Sequence, residues 1–247
     1  MNKKFNPSKA IIPNTFTALN LLSGFFSIIF ATKSDFTTAS LFIFVAVFFD
    51  GFDGFVARMF KTSSKFGVEL DSIADIVSFG VAPAILVYFS FLNQYGIWGI
   101  VVSSIYLLFG AFRLARFNSQ LESIADKPDF TGLPIPVAAL TIASYLIYTK
   151  PIPHLNPPED MIALILMLVV SVLMVSNIKY FAMAKVKYIN NKAKIIFSIV
   201  SILFIISFFL SQAKTVFYFF LLIVISGFIN KKLEKYIFTK DYYLSQR

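Results

Sequence analysis

Asp50, Asp53, Asp71 and Asp75 interrupt stretches that are otherwise apolar, where an ionisable side chain is costly and calls for a reason. The first pair lies in Asp50-Gly51-Phe52-Asp53-Gly54-Phe55-Val56-Ala57-Arg58. Eight residues, Met59 to Phe66, separate it from Gly67-Val68-Glu69-Leu70-Asp71-Ser72-Ile73-Ala74-Asp75. On a helix, Asp50, Asp53, Gly54, Ala57 and Arg58 fall at i, i+3, i+4, i+7 and i+8, which is one face. Gly67, Asp71 and Asp75 fall at i, i+4 and i+8, again one face. The linking Lys61-Thr62-Ser63-Ser64-Lys65 reads as a turn, so the helices become antiparallel neighbours and their acidic faces can converge. Gly54, Ala57 and Gly67 are small, which permits close helix approach and leaves room for a ligand.

Four carboxylates within about 5 Å of one another repel by roughly 3 kcal/mol per pair at an effective dielectric near 20, approaching 20 kcal/mol over six pairs. Protonation would relieve this but waste the arrangement. Divalent cations relieve it and use it. An oxygen-only donor set without His or Cys prefers hard ions, Mg²⁺ or Mn²⁺. Two such ions can activate an attacking oxygen and stabilise a leaving phosphate. Arg58 cannot be a metal ligand, but its fork suits a phosphate oxygen, and Ser64 with nearby backbone N–H groups can add phosphate contacts. The competing explanation makes Asp50, Asp53 and Arg58 ordinary helix-end charges at the membrane interface. It suits any one of them better than it suits four aspartates at these spacings.

These helices sit in a chain whose solvent is lipid. Of 247 residues, 57% are hydrophobic and only 14% charged, and the mean hydropathy is +0.77; soluble domains carry about 25% charged residues. The runs are continuous rather than alternating, which excludes a β-barrel. They predict an all-α, polytopic transmembrane bundle of about eight helices, near 16–31, 38–60, 67–91, 95–117, 135–149, 161–178, 195–211 and 214–230. The basic Met1–Lys9 and the following apolar run resemble a signal peptide, but no small-x-small cleavage site follows, so the run reads as a retained first helix. One integral membrane domain over 1–247 is expected, with additional C-terminal helices at about 160–230.

The net charge of +9 does not imply nucleic acid, because the cations lie between apolar segments where they orient the chain in the membrane. With the N-terminus cytoplasmic, only Lys33, Lys150 and Lys214 of the 22 basic side chains fall outside. That asymmetry fits an even helix count with both termini cytoplasmic. The Pro-rich segment 151–158 then connects helices on the outer side. The Lys-rich segment 179–194 either binds anionic head groups or only fixes topology. Cys is absent, and the lone His154 cannot build a zinc site.

Asp50-x-x-Asp53-Gly54-x-x-Ala57-Arg58, eight residues, Gly67-x-x-x-Asp71-x-x-x-Asp75 resembles the complete motif of the CDP-alcohol phosphotransferases, with every fixed position filled. Pro13-Asn14-x-x-Thr17 resembles the opening of that family's first helix. Phe112-Arg113-Leu114-Ala115-Arg116-Phe117-Asn118, with Phe130-Thr131-Gly132-Leu133-Pro134-Ile135-Pro136, is similar to its membrane-embedded phosphatidylserine synthase branch. The resemblance covers about the first 140 residues and implies a catalytic core at about 10–150. It implies that Asp50, Asp53, Asp71 and Asp75 bind two ions, Mg²⁺ or Mn²⁺, and that Asp75 also takes the acceptor's proton. Gly54 would let the cytidine approach the backbone, Arg58 and Ser64 would hold the donor's phosphates, and Pro13, Asn14 and Thr17 would line the nucleotide pocket. The implied partners are a CDP-linked lipid, L-serine and membrane lipids, with a homodimer as the assembly. The implied location is the cell membrane, with the site on the cytoplasmic side.

Arg113 and Arg116, at i and i+3, either grip a serine carboxylate or donor phosphate, or are inside-positive anchors. Asn118 and Thr131 are weaker candidates for the site, and 132–136 shapes the start of the fifth predicted helix. Glycerol 3-phosphate or an inositol phosphate remain alternative acceptors, each calling for more cationic residues. A cation channel, from a different class, needs carboxylates through the membrane depth, whereas these cluster at one end. A lipid-binding protein that keeps the site without catalysis is a third possibility.

Overall fold

In hydrocarbon a backbone must satisfy its own hydrogen bonds, and long apolar runs therefore fold as helices. The computed structural model describes residues 7–60, 65–123, 131–149, 158–178, 180 and 215–237, and no strand occurs among them. Helix α1 (Pro7–Thr32) turns back through Lys33–Asp35 into α2 (Phe36–Phe60). Asp35 caps α2, its Oδ1 accepting the Thr38 N–H at 3.1 Å. A third rod begins as α3 (Lys65–Asp75), widens into a π-helical turn (Ile76–Val81), and narrows into α4 (Ala82–Val87). It ends in a second π turn (Tyr88–Leu92) and a 3₁₀ turn (Asn93–Tyr95). Then follow α5 (Ile97–Ser123), α6 (Ile135–Thr149), α7 (Pro158–Val175) and α8 (Val216–Ile237).

Among the described residues, four segments, Ile11–Thr32, Phe36–Ala57, Phe66–Tyr95 and Ile97–Ser119, are long and apolar enough to cross a membrane. The chain is a membrane protein. Their exposed faces carry Phe25, Leu41, Phe48, Phe55, Trp98 and Leu108, side chains that lipid accepts and water does not. The described residues thus form seven helical rods against the eight expected. The predicted helix at 195–211 lies outside the described residues, as do the connection at 150–157 and all of the Lys-rich segment 179–194 except Tyr180.

The first helix starts at Pro7 rather than near residue 16, which puts Pro13 inside it. Proline removes one backbone donor from a helix. In a membrane helix that loss is tolerated, since no non-helical alternative satisfies the neighbouring groups better.

At only 15 residues, α6 spans about 22 Å against a hydrocarbon core of about 30 Å. It is the central element rather than a lipid-facing one. Ala138, Ala139, Ile142, Ala143 and Leu146 are all buried, and α2, α7, α8 and the π turn at Ile76–Val81 pack around it. Its Thr141 and Ser144 hydroxyls donate to Val137 and Thr141 carbonyls of the same helix, at 2.8 and 3.0 Å. Polar side chains can therefore be buried here without orphaned donors.

Two contacts fix the rods around the acidic end. Gly24 of α1 meets the π turn so closely that a Cβ there would lie 2.6 Å from the Ser78 Cα. Ser78 donates to the Asn20 carbonyl at 2.9 Å, and the Tyr106 hydroxyl on α5 donates to the Phe79 carbonyl at 2.9 Å. A π turn leaves carbonyls outside the normal helical ladder, and such turns are frequent at functional sites. Elsewhere Arg116 gathers four carbonyls: Val175 at 3.0 Å, Thr131 at 3.1 Å, Ser176 at 3.3 Å and Met174 at 3.5 Å. It caps the C-terminal end of α7 and ties it to the segment before α6. Gly132, at φ +82°, belongs to the same knot, because a side chain there would strike the Met174 carbonyl.

Three substitutions test this packing by thermal unfolding in detergent. Gly24→Ala is expected to lower Tm, because backbone must shift, whereas Gly51→Ala, with nothing within 4 Å, is expected to hold or raise it. Equal effects would reject the close approach. Arg116→Leu strands carbonyls that cost about 1–3 kcal/mol each when left unsatisfied, so a clear fall in Tm is expected. An unchanged Tm would show that the cap carries no stability.

Candidate active site

Successive rods run in opposite directions, so the first half of α1, the last turns of α2, the start of α3 and the end of α5 lie at one end of the bundle. Asn14, Thr17, the four aspartates, Arg58, Arg113, Arg116 and Asn118 all belong to α1, α2, α3 and α5, whereas Thr131 precedes α6. Asp50, Asp53 and Asp71 each offer a carboxylate oxygen, and the three oxygens lie within 4.8 Å of one another. The two helices do turn their acidic faces toward a shared point. Asp53 is buried, while Asp50 and Asp71 are half-buried. At that separation and a dielectric near 20 the three pairs repel by about 10 kcal/mol in total.

Asp75 does not join this triad among the described residues. It lies one turn further along the rod than Asp71, is 9% exposed, and remains within Coulombic reach of all three. The Asn20 side-chain amide donates to its Oδ1 at 3.4 Å. The π turn starts at the next residue, Ile76, so the helix changes gauge immediately beyond this carboxylate.

Helix α1 supplies the second wall. The Thr17 hydroxyl donates toward Asp53 Oδ2 at 3.0 Å, and toward the Pro13 carbonyl at 3.2 Å. One hydroxyl carries one proton, so these two acceptors share or alternate for it. Pro13, Thr17, Asn20 and Gly24 are buried at i, i+4, i+7 and i+11, a single stripe. Thr17 thus stands directly behind a carboxylate. Asn14, half-buried, lies one helical turn before Thr17 on α1. Gly54 is half-buried beside Asp53 on α2. Arg58 continues α2 one turn further, but its side chain and all of Ser64 lie outside the described residues.

On α5 the two arginines separate. Arg116 is engaged by the four carbonyls above, whereas Arg113 is 6% exposed and within Coulombic reach of Asp75. Asn118 donates to the Ser72 hydroxyl at 2.8 Å and so ties α5 to the acidic rod. The Thr131 carbonyl serves Arg116. Asn20 and Ser72 carried no assigned part in the sequence reading. The stripe through Pro13 and Thr17 was the available signal for Asn20, since its spacing places it on the same face.

Among the described residues, three buried atoms at this end have no hydrogen-bond partner: Asn20 Oδ1, Asp71 Oδ1 and Arg113 Nε. Buried polar atoms are rarely left so, and each calls for a partner that the described residues do not supply. The oxygen-only triad, with a free acceptor on Asp71, fits a hard divalent cation.

Comparison with known proteins agrees with this geometry. The profile of the CDP-alcohol phosphatidyltransferase family matches residues 10–176, a span that holds every described site residue. A CDP-diacylglycerol–serine O-phosphatidyltransferase of Helicobacter pylori is 39% identical over 178 residues, covering 72% of this chain and 75% of that protein. The archaetidylserine synthase of Methanothermobacter thermautotrophicus is 38% identical over 189 residues, 73% of each chain. A CDP-diacylglycerol–serine O-phosphatidyltransferase of Methanocaldococcus jannaschii is 38% identical over 164 residues, 66% of this chain and 70% of its own. With the converging aspartates, the helix pair that carries them and a profile match over most of its length, the chain belongs to the CDP-alcohol phosphatidyltransferase family.

Proposed function

We propose that this protein transfers the phosphatidyl or archaetidyl group of a CDP-linked lipid to the hydroxyl of L-serine, releasing CMP. The observation that carries the reading is the convergence of Asp50, Asp53 and Asp71 beside a buried Asp75, in a chain whose relatives are named serine phosphatidyltransferases and an archaetidylserine synthase.

In the reaction, the serine hydroxyl oxygen attacks the phosphorus that bears the lipid. The bond from that phosphorus to the bridging oxygen of CMP breaks, CMP leaves with the electron pair, and the hydroxyl proton passes to the Asp75 carboxylate. Asp50, Asp53, Asp71 and Asp75 would hold two ions, Mg²⁺ or Mn²⁺, which polarise phosphoryl oxygens and lower the cost of ionising the hydroxyl. The protein contributes the rest. Thr17 fixes the orientation of Asp53, and Asn20 fixes that of Asp75. Pro13, Asn14 and Gly54 border the space assigned to the nucleotide. Arg58 and Ser64 are assigned to the donor's phosphates.

The bundle reconciles two incompatible substrates. Lipid tails reach the site sideways from the apolar surface, whereas CDP and serine arrive from water at the polar end. The reading includes a cell-membrane location, eight helices in one integral domain over 1–247, both termini and the site on the cytoplasmic side, and a homodimer. The cation bias of the loops supports the orientation. The core lies at about 10–150, with further helices at about 160–230.

Purified protein incubated with CDP-lipid, Mg²⁺ and one alcohol at a time tests the acceptor. CMP release with L-serine is expected. Release with glycerol 3-phosphate or an inositol phosphate but not serine would overturn the assignment. Asp75→Asn is expected to remove almost all turnover while leaving the detergent-solubilised protein folded, and wild-type turnover would take Asp75 out of catalysis. Arg58→Ala is expected to raise the half-saturating CDP-lipid concentration about tenfold or more, as loss of a charge-assisted hydrogen bond implies. An unchanged value would reject its phosphate role.

A further inference from the structure

The acceptor must be held as well as deprotonated, and the groups around Asp75 have a specific pattern. Asn20 is fully buried on α1, and its two ends differ. Its side-chain amide nitrogen donates to Asp75 Oδ1 at 3.4 Å, while among the described residues its side-chain oxygen Oδ1 is buried without a partner. Arg113 reaches the same neighbourhood from α5; it is 6% exposed and its Nε, also buried, has no partner. An orphaned acceptor and an orphaned cationic donor therefore flank one carboxylate. Neither is explained by helix packing, and each carries the desolvation cost of an unmade hydrogen bond. Arg116, by contrast, is satisfied by four carbonyls and is not free for a substrate.

We propose that Arg113 and Asn20 form a recognition subsite for the zwitterionic head of the acceptor. Arg113 receives the α-carboxylate through its guanidinium, and Asn20 Oδ1 accepts a hydrogen bond from the α-ammonium. The hydroxyl is thereby directed at Asp75. The subsite rests on the serine reading above and deepens it by assigning selectivity. A single guanidinium with an unpartnered Nε suits a carboxylate monoanion. The acceptor atom on Asn20 suits a donor such as an ammonium and disfavours a phosphate oxygen at the same position.

Two serine fragments separate the halves of the subsite. Serinol keeps the ammonium and hydroxyl but lacks the carboxylate; 3-hydroxypropionate keeps the carboxylate and hydroxyl but lacks the ammonium. KM for L-serine and inhibition constants for both fragments are measured on full-length enzyme with CDP-lipid and Mg²⁺. Arg113→Gln is expected to raise the serine KM about tenfold or more, in line with loss of a charge-assisted contact, and to leave the serinol constant within about twofold. Asn20→Ala is expected to raise the serine KM and the serinol constant together, leaving the 3-hydroxypropionate constant within about twofold. Arg113→Lys, which keeps the charge but loses the fork, is expected to give the same pattern more weakly and serves if Arg113→Gln does not fold. If Arg113 variants shift serine and serinol by the same factor, or Asn20→Ala shifts both fragments equally, the subsite is rejected while serine stays the acceptor. If the wild-type enzyme uses another alcohol and not serine, the acceptor assignment falls and this subsite falls with it.

Discussion

Carboxylates that repel one another at the edge of a lipid-embedded bundle are the constraint to which the surrounding structure answers. Three of their oxygens lie within 4.8 Å, a separation that no isolated pair of helices would choose. Packing energy from the rest of the bundle must hold α2 and α3 together against that repulsion. This explains why the site is braced from outside its own helices. Thr17 and Asn20 on α1 reach the carboxylates directly, and Asn118 on α5 bonds to Ser72 on the acidic rod. Such bracing is what a preorganised site needs, because charge stabilisation is most effective when donors and ligands do not reorganise during the reaction.

The π turn after Asp75 has a place in the same logic. Its widened gauge presents Ser78 to the backbone of α1, and lets the Phe79 carbonyl meet Tyr106. Those bonds lock the rod to both neighbours next to the Asp75 carboxylate. The close seat of Gly24 against Ser78 shows how little space separates α1 from this turn. The position of Asp75 is thus set by backbone contacts as much as by its own hydrogen bonds. Small residues where helices cross permit that approach in lipid, where no hydrophobic force draws helices together.

Arg113 and Arg116 show how one turn of helix can divide two tasks. Both are cationic, both lie near the same end, and by sequence they are interchangeable. Arg116 closes the carbonyl end of α7 and the loop before α6, a favourable place for a cation at a helix C-terminus. Arg113, three residues earlier, faces inward toward Asp75. The structural arginine anchors the scaffold from which the inward one projects.

Much of this was legible in the residues themselves. The membrane class follows from apolar runs that water would not tolerate, and the acidic pairs announce themselves because charge in such runs is expensive. Helical spacing alone put Asp50 with Asp53, and Asp71 with Asp75, on common faces, and a short turn made those faces neighbours. Spacing is local, however, and cannot report what another helix brings. The sequence did not separate Arg113 from Arg116, because their difference lies in the carbonyls of Met174 to Ser176, far away along the chain. Nor did it show that Asn20 supports Asp75, or that Pro13 lies within α1. Periodicity determined which side chains share a face; only the tertiary packing decided which faces meet, because contact across the bundle depends on helix crossing and backbone gauge rather than on residue type.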